Sequence, residues 1–389
     1  MTQNAAPRRS ARKAVLSCAL MALPLIAMPL VAAPAAPPPP ATSSLAMPCL
    51  AAQQDFLKVP PGRLLGDVSA VTLGPKGHVW VLHRPGTLAP EQRAKALPPV
   101  AEFTAAGAFV GGFGGPHEGY EWPQVEHSLA VSPTGHVWIS GNYRTEAARA
   151  DDMVLEFAPG GRFVRQIGRR GGSTGNADTG NVHAPGDLTL DWPRRELYVA
   201  DGYGNRRVAV IDVDNGRFRR IWGAWGKTPT LDPAPNPRPA GKPFVPETGD
   251  GPPDFNGVHG AAIARDGKVY VSDRNNQRIQ VFTRQGRYLA QVFVDRNLPS
   301  PMTASGIAFS DDPAQRFLYV ADFGNAALVV IDRQRLAVVG RAGTGTGTAP
   351  MFTTPHLLAS DGKGHLFVSE VTARRVTRLT ITPRCKPGA

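Results

Sequence analysis

Three histidines share one position relative to a turn glycine. Each lies eight residues before the glycine of a short hairpin: His127 before Gly135, His259 before Gly267 and His356 before Gly364. Three imidazoles brought together can bind a divalent metal ion and leave one coordination position open for water or substrate, as in catalytic zinc sites. This recurrence is the strongest chemical signal in the chain. It predicts a metal site held by these three side chains.

The histidines belong to units that repeat along the chain. The clearest unit covers residues 255–282, where two apolar strands flank a turn at residues 265–267 and a third strand follows a polar loop. The predicted units cover residues 67–113, 126–167, 186–222, 255–282, 305–339 and 355–382. A period of roughly 40 to 60 residues indicates an array of supersecondary units, and six four-stranded units close most simply into a ring. The sequence therefore predicts an all-β fold, a six-bladed β-propeller.

The histidine position alternates with small residues around this ring. In unit order it holds Ser69, His127, Gly186, His259, Ser305 and His356. The first strand of each propeller unit lines the central channel, so equivalent positions converge on the axis. The small residues would leave room there for the imidazoles.

Side chains with catalytic potential end the second strand of several hairpins. Because that strand runs back antiparallel, Arg84, Asn142, Tyr203 and Arg274 are expected on the same rim as the histidines. Arginines can hold a carboxylate, and a phenol can transfer a proton. We therefore assign substrate binding to Arg84, Arg274 and Asn142, and catalysis to Tyr203 with the two arginines.

Other recurring polar residues favour structural roles. Asp201, Asp273 and Asp322 end their strands just before that rim, and recurrence there is typical of side chains that bond a turn. His78, His136 and His365 directly follow turn glycines and are predicted to be surface residues rather than metal ligands. His83, His117 and His183 lie in or beside long loops, where a supporting role near the site is open.

The composition suits a protein of short strands and turns. The 389 residues include 42 Gly and 38 Pro, and only 19% are charged. Four of the cations behind the net charge of +12 lie in the first 13 residues, which leaves +8 for the rest. Because the remaining cations are scattered, the charge argues against nucleic-acid binding and favours a modest attraction for anionic substrates.

The first residues resemble a secretory signal peptide. A basic segment precedes an apolar run that ends in small residues, so we predict a signal peptide over residues 1–35 and a Pro/Ala-rich linker over residues 36–48. The propeller would then cover residues 49–389, in an exported, periplasmic or secreted bacterial protein without a membrane span after cleavage. An uncleaved signal anchor is the alternative, and export by the general or the twin-arginine route is left open.

Cys49 and Cys385 lie at the two ends of the predicted propeller. If residues 55–59 supply the outer strand of the last blade, the two cysteines become neighbours and can form a disulfide that locks the ring. The alternative is two unpaired thiols.

Short motifs around these residues resemble the NHL-repeat propellers, and among them the peptidyl-α-hydroxyglycine α-amidating lyases. They are HR at His83, EHSL at His127, DGYGNRR at Tyr203, VHG at His259, SDRNNQRIQVF at Arg274 and TPH at His356. The resemblance implies one zinc ion on the three histidines, Tyr203 as the base, and Arg84 and Arg274 in the carboxylate and active-site positions. It also implies cleavage of a small or peptide C-terminal carbinolamide to an amide and glyoxylate or a related aldehyde.

The sequence departs from this family at two informative positions. Leu357 follows His356 where the family has a calcium-associated aspartate, which leaves a structural calcium ion open. Gly204 stands where one of the family's paired cysteines would follow the tyrosine.

Two functions of different classes are therefore open. One is a zinc-dependent carbon–nitrogen lyase acting as a monomer. The other is a non-enzymatic propeller that binds a protein or ligand outside the cytoplasm. A lactonase-type hydrolase is disfavoured, because its axial site would be acidic rather than histidine-rich. Arg84, Tyr203 and Arg274 beside the histidines favour the enzyme, since a purely structural metal needs no such open side.

Overall fold

The computed structural model describes residues 47–230, 248–298, 302–344 and 351–383. The predicted signal peptide, most of the linker and Cys385 lie outside the described residues. The described chain forms six antiparallel four-stranded sheets, each built from strands consecutive in the chain except the last. The predicted six-bladed β-propeller is confirmed.

The strands follow one another blade by blade. Blades one and two contain β2 Asp67–Leu73, β3 Val79–Arg84, β4 Val100–Phe103, β5 Phe109–Phe113, β6 Glu126–Val131, β7 Val137–Gly141, β8 Met153–Ala158 and β9 Arg162–Gly168. Blades three and four contain β10 Asp187–Asp191, β11 Glu196–Asp201, β12 Arg207–Asp212, β13 Phe218–Trp222, β14 Val258–Ile263, β15 Val269–Asp273, β16 Arg278–Phe282 and β17 Tyr288–Phe293. Blades five and six contain β18 Ile307–Phe309, β19 Phe317–Asp322, β20 Ala327–Asp332, β21 Ala337–Gly343, β22 Pro355–Ser360, β23 His365–Glu370, β24 Arg375–Thr382 and, from the N-terminal side, β1 Cys49–Gln53.

Helical structure in the described residues is limited to 3-10 turns. They are Pro75–Gly77, Pro85–Thr87, Pro90–Lys95, Ala147–Arg149, Trp192–Arg194, Ala224–Gly226 and Arg274–Asn276. Within the described part of the chain, no helix has the length and apolar character needed to cross a bilayer.

The middle strands of the blades are apolar on both faces because each blade packs against two neighbours. All five residues of β7 are buried, and so are all six of β11. Trp138 of blade two lies in the same buried cluster as Val199 of blade three. The outermost strands alternate instead, as in β9, where exposed and less exposed residues succeed one another. This pattern places the core between blades and leaves the channel to the first strands.

The strand that closes the ring lies earlier in the N-terminal segment than predicted. β1 pairs antiparallel with β24, from Cys49 opposite Thr382 to Gln53 opposite Arg378. The prediction that residues 55–59 form this strand is wrong. Phe56 from that segment is instead buried in the cluster that contains Phe367. Burial of this aromatic ring takes the segment inward, whereas the small apolar residues of β1 suit an outer edge.

The register of the closing strand bears on the cysteines. Cys49 lies opposite Thr382, three positions before Cys385 in the sequence. Because Cys385 is outside the described residues, the Cys49–Cys385 disulfide stays a prediction.

A buried ion pair recurs at the ends of the inner hairpins. Asp201 accepts a bond of 2.8 Å from Arg207, and Asp273 accepts one of 2.7 Å from Arg278, all with fully buried side chains. Each aspartate is also bonded by an asparagine of the following turn. The predicted structural role of these aspartates is confirmed. The pair fixes the turn that carries the functional side chain, since removing one partner would strand a buried charge.

Blade five lacks the arginine of this pair. Ala327 lies opposite Asp322, where Arg207 and Arg278 lie opposite their aspartates in blades three and four. Burial and a hydrogen bond with Asp295 raise the pKa of Asp322 well above its usual range. The protonated form of Asp322 is favoured, because burial disfavours its charged form and the Asp295 carboxylate lies nearby.

The raised pKa of Asp322 predicts that the protein loses stability as the pH rises. The folded protein retains a proton on Asp322 that the unfolded chain releases near its ordinary pKa, so the free energy of unfolding falls as pH rises through the folded pKa. Asp322→Asn removes the titration and should flatten this fall between about pH 4 and pH 8, the ordinary pKa and the raised pKa of Asp322. Urea unfolding across that range measures it, with the exposed Glu118→Gln as a control that keeps the wild-type slope. Equal slopes for Asp322→Asn and the wild type would contradict the assignment.

Candidate metal centre

The three histidines lie at β-bulges in the first strands of alternate blades. His127 lies between the register pairs Glu126–Gly141 and Ser128–Ser140, and His259 lies between Val258–Asp273 and Gly260–Ser272. The register also shifts between Pro355 and Leu358, at His356. A bulge inserts an extra residue and re-aims its side chain, and bulges are common beside active sites. Here they accompany three side chains that converge on the propeller axis.

The imidazoles come close enough to share one ion. Their ligand atoms all lie within 4.8 Å of one another, and the Nε2 atoms of His259 and His356 are 3.1 Å apart. Two nitrogens bound to tetrahedral zinc at about 2.0 to 2.1 Å lie about 3.3 Å apart. In the described part of the chain this is the one cluster of at least three His, Cys, Asp or Glu side chains with such spacing.

The other ring nitrogens face carbonyls of the next blade. Nδ1 of His356 lies 2.6 Å from the carbonyl oxygen of Ser69, so it carries the proton and donates. The carbonyls of Gly186 and Ser305 lie near His127 and His259. Among the described residues, the Nδ1 atoms of these two histidines are buried without a hydrogen-bond partner, unlike Nδ1 of His356. A proton on Nδ1 leaves the Nε2 lone pair free to bind a metal.

Packing leaves no room for a side chain at Gly186, one of the small residues at the level of the histidines. A Cβ atom on Gly186 would lie 2.7 Å from the carbonyl oxygen of Val258 and 2.9 Å from Cα of His259. The neighbouring histidine strand therefore occupies the space that a side chain at Gly186 would need.

Burial keeps the histidines neutral. It lowers the pKa of His356 to about 3, with the nearby Arg84 and Arg274 acting in the same direction and the Ser69 carbonyl opposing them. Burial likewise lowers the pKa of His127 and His259 well below the usual value, and neighbouring positive charges add to the effect. Neutral imidazole is the form that binds metal ions.

Tyr203 lies directly in front of the histidines. Its phenol oxygen is 3.1 Å from Nε2 of His127 and 3.1 Å from Nε2 of His259, and Nη1 of Arg274 donates to it over 3.0 Å. The three predicted ligands, the predicted base and one predicted arginine are thus brought together within hydrogen-bond reach. A phenol in this place can exchange a proton with a molecule bound at the histidines.

Arg84 approaches the same cluster from blade one. Its Nε donates to the carbonyl oxygen of Glu126 over 2.7 Å, which holds the guanidinium beside the start of β6. Burial lowers the pKa of Arg84, and Tyr203, Glu126 and Asp67 oppose that change. Arg274 is only 8% exposed, and neither arginine forms an ion pair with a carboxylate among the described residues. Buried cations without a counter-ion favour binding of an anion.

Asn142 is less directly placed. It follows β7 at the same rim, half-buried, with its backbone N–H donating to the carbonyl of Val125 over 3.0 Å. In the described residues no hydrogen bond joins its side chain to the three histidines or to Tyr203, so its role in substrate binding stays a prediction.

The remaining histidines lie outside the metal cluster. His78, His136 and His365 bond Glu102, Glu156 and Asp361 through Nδ1. His83 is fully buried between the backbone N–H of Gly66 and the carbonyl of Pro98, and burial lowers its pKa to about 4. His117 stacks on Tyr120.

Two further groups lie near Tyr203. The guanidinium carbon of the exposed Arg144, which the sequence reasoning missed, lies 5.0 Å from the centre of the Tyr203 ring. His183, for which that reasoning left a supporting role open, bonds Asp152 over 2.7 Å and fills the space above Gly204, where a Cβ atom would lie 1.5 Å from its ring. Neither residue belongs to the repeated pattern. Only the position of Arg144 in a loop beside the site could have pointed to it, because such loops often carry function.

Comparison with known proteins agrees with this architecture. The NHL repeat family matches residues 255–282, which form most of blade four. The protein is a six-bladed β-propeller with an NHL repeat in blade four. This propeller is 24% identical to human NHL repeat-containing protein 3 over 292 residues, 74% of each chain. It is 21% identical to a probable peptidyl-alpha-hydroxyglycine alpha-amidating lyase of Caenorhabditis elegans over 353 residues, covering 82% of this chain and 84% of that one.

A solved structure supports the fold alone. A Bacteroides thetaiotaomicron protein of unknown function matches the propeller with a TM-score of 0.50 at 14% identity, covering 86% of this chain and 76% of that one.

Proposed function

We propose that the protein is a zinc-dependent lyase that cleaves the N–C bond of a carbinolamide and releases an amide and glyoxylate. The observation that carries the proposal is the contact of the Tyr203 phenol with two neutral axial histidines, at 3.1 Å each. A distant relative named as a probable amidating lyase supports the same chemistry.

The donor set fits zinc. Three neutral imidazoles, without a thiolate or carboxylate, make up the ligand set of catalytic zinc sites that keep a position open. Nδ1 of His356 donates to a carbonyl, so its Nε2 lone pair points toward Nε2 of His259 at 3.1 Å. If the proton of His259 is also on Nδ1, two lone pairs face each other, and a cation between them removes the repulsion. His127, His259 and His356 would hold the ion.

The reaction needs a proton acceptor, a proton donor and a site for a carboxylate. The hydroxyl proton leaves, the C–O bond becomes a carbonyl, the electron pair of the C–N bond goes to nitrogen, and nitrogen takes up a proton. A bound zinc ion supplies Lewis acidity that makes a nearby hydroxyl easier to deprotonate. Tyr203, as its phenolate, would accept the hydroxyl proton and return it to the nitrogen, with Arg274 holding the phenol oxygen toward the histidines.

The arginines would orient the substrate. Arg274 and Arg84 lie on the same side of the cluster as Tyr203, and their positive charges reach the histidines. A carboxylate on the carbinol carbon would be held there, which places the hydroxyl toward the axis and the nitrogen toward Tyr203. The aldehyde product with such a carboxylate is glyoxylate.

Product analysis with a defined carbinolamide tests the proposal. Protein loaded with zinc should convert N-benzoyl-α-hydroxyglycine to benzamide and glyoxylate in equal amounts, and chelation should stop the reaction until zinc is restored. Buffer with free zinc, without protein, is the control for spontaneous breakdown. If zinc-loaded protein releases no glyoxylate above this control, the lyase assignment fails and the binding propeller is favoured.

A further inference from the structure

The rim of the site carries a third guanidinium. Arg144 and Arg274 each place their guanidinium carbon 5.0 Å from the centre of the Tyr203 ring. Cations at this distance from an aromatic ring are attracted to its face. Arg274 also bonds the phenol oxygen, whereas Arg144 is exposed and, among the described residues, forms no hydrogen bond with the histidine cluster. The two arginines therefore differ in depth.

The acidic residues of the Arg144 loop are engaged elsewhere. Glu146 pairs with Arg149 at 3.4 Å and accepts a bond from Tyr143. Asp151 accepts three backbone N–H bonds, and Asp152 bonds His183. In the described part of the chain no carboxylate lies within ion-pair distance of Arg144. Its charge is available to a ligand.

The exposed fraction of the side chains increases from the histidines outward to Arg144, and this gradient indicates the path by which a ligand reaches the site. The three histidines are 1 to 4% exposed, Tyr203 and Arg84 are half-buried, and Arg144 is exposed. A carbinolamide held with its hydroxyl at the histidines must extend its acyl group toward solvent, past Tyr203 and Arg144. The acyl group therefore passes the Arg144 guanidinium at the rim.

We propose that Arg144 is a specificity-determining residue that selects substrates with an acidic acyl group. This inference rests on the proposed function for its reaction. The preferred substrate is then dianionic, with one carboxylate on the carbinol carbon beside Arg84 and Arg274 and a second on the acyl side beside Arg144. An acidic peptide end or a dicarboxylic acid monoamide has this chemistry.

A pair of nearly isosteric substrates tests the inference. N-succinyl-α-hydroxyglycine carries the second carboxylate, and N-butyryl-α-hydroxyglycine replaces it with a methyl group. For the zinc-loaded wild type we expect a KM about fivefold lower for the succinyl compound, the size of an exposed ion pair. Arg144→Gln should abolish that preference by raising the KM for the succinyl compound to that for the butyryl compound. Arg149→Gln, on the same loop but paired with Glu146, should keep it.

Binding of unreactive analogues separates this inference from the reaction. N-succinylglycine and N-butyrylglycine lack the hydroxyl group, so calorimetry with them reports recognition alone. If no carbinolamide is cleaved but the wild type prefers N-succinylglycine and Arg144→Gln does not, the anion site stands and the lyase assignment fails. No preference in the wild type, or an equal preference in Arg144→Gln, overturns the inference. Added salt should reduce a genuine preference, because exposed charges are screened.

Discussion

Tyr203→Phe should bind zinc as the wild type does and release glyoxylate about 10² to 10⁴ times more slowly, the range that a positioned proton-transfer group contributes. The substitution removes one oxygen atom. That oxygen contacts Nε2 of His127, Nε2 of His259 and Nη1 of Arg274, at 3.0 to 3.1 Å. The ring, which packs edge-on against His127 and His259, stays in place. The loss should therefore fall on kcat rather than on metal content.

Metal analysis and steady-state kinetics on the same preparation check this result. Tyr143→Phe is the matched control: its hydroxyl bonds Glu146 on the rim loop, and its removal should leave turnover unchanged. Wild-type turnover in Tyr203→Phe would show that another group accepts the proton. Loss of zinc from Tyr203→Phe would instead assign the phenol to metal retention.

His259→Ala should lose both zinc and activity. The wild type should contain about one zinc per chain, and the variant close to none, because two imidazoles bind zinc far more weakly than three. Nε2 of His259 also lies 3.1 Å from both the Tyr203 oxygen and Nε2 of His356, so its removal breaks two contacts of the cluster. Glyoxylate release should fall to the level of the chelated wild type.

The design of this experiment has to separate lost metal from lost fold. Protein purified without an affinity tag avoids carried-over metal, and circular dichroism with thermal unfolding compares the variant with chelated wild type. His127→Ala provides an independent test of the same cluster. His365→Ala is the control, since this histidine bonds Asp361 at a surface turn and should keep zinc. Full zinc content in both cluster variants would refute the metal site.

Most of the fold and of the candidate site that could be predicted from the sequence came from its repeated units. Turn glycines at a fixed offset located the blades and placed the three histidines on a common level, and the structure joins them as predicted. The outer strands were harder to locate, because strands such as β17 alternate weakly between exposed and buried residues and follow loops of variable length. The closing strand was misplaced for a similar reason. Residues 49–53 and 55–59 are both short and apolar in part, and only packing of Phe56 separates them.

The finer features of the site have no signature in one sequence. A bulge at His127 depends on pairing with β7, which no local pattern reports. Arg144 and His183 come from loops whose lengths and sequences do not repeat from blade to blade, so repetition could not point to these residues. Asp322 shows a partial signal: the missing arginine at Ala327 is visible in the sequence, but its carboxyl partner Asp295 lies in another blade's loop.

The strand that closes the ring, β1, is synthesised long before β24, the strand with which it pairs. Gln53 and Arg378, which lie opposite each other in the last blade, are 325 residues apart in the chain. A ribosome therefore delivers the outer edge of blade six first and its partner last. The early edge stays unpaired while five blades form, and contacts between such distant segments are the slowest to establish. The ring thus becomes complete only once β24 is available, and a chain that stops short of β24 leaves two blade edges open rather than one.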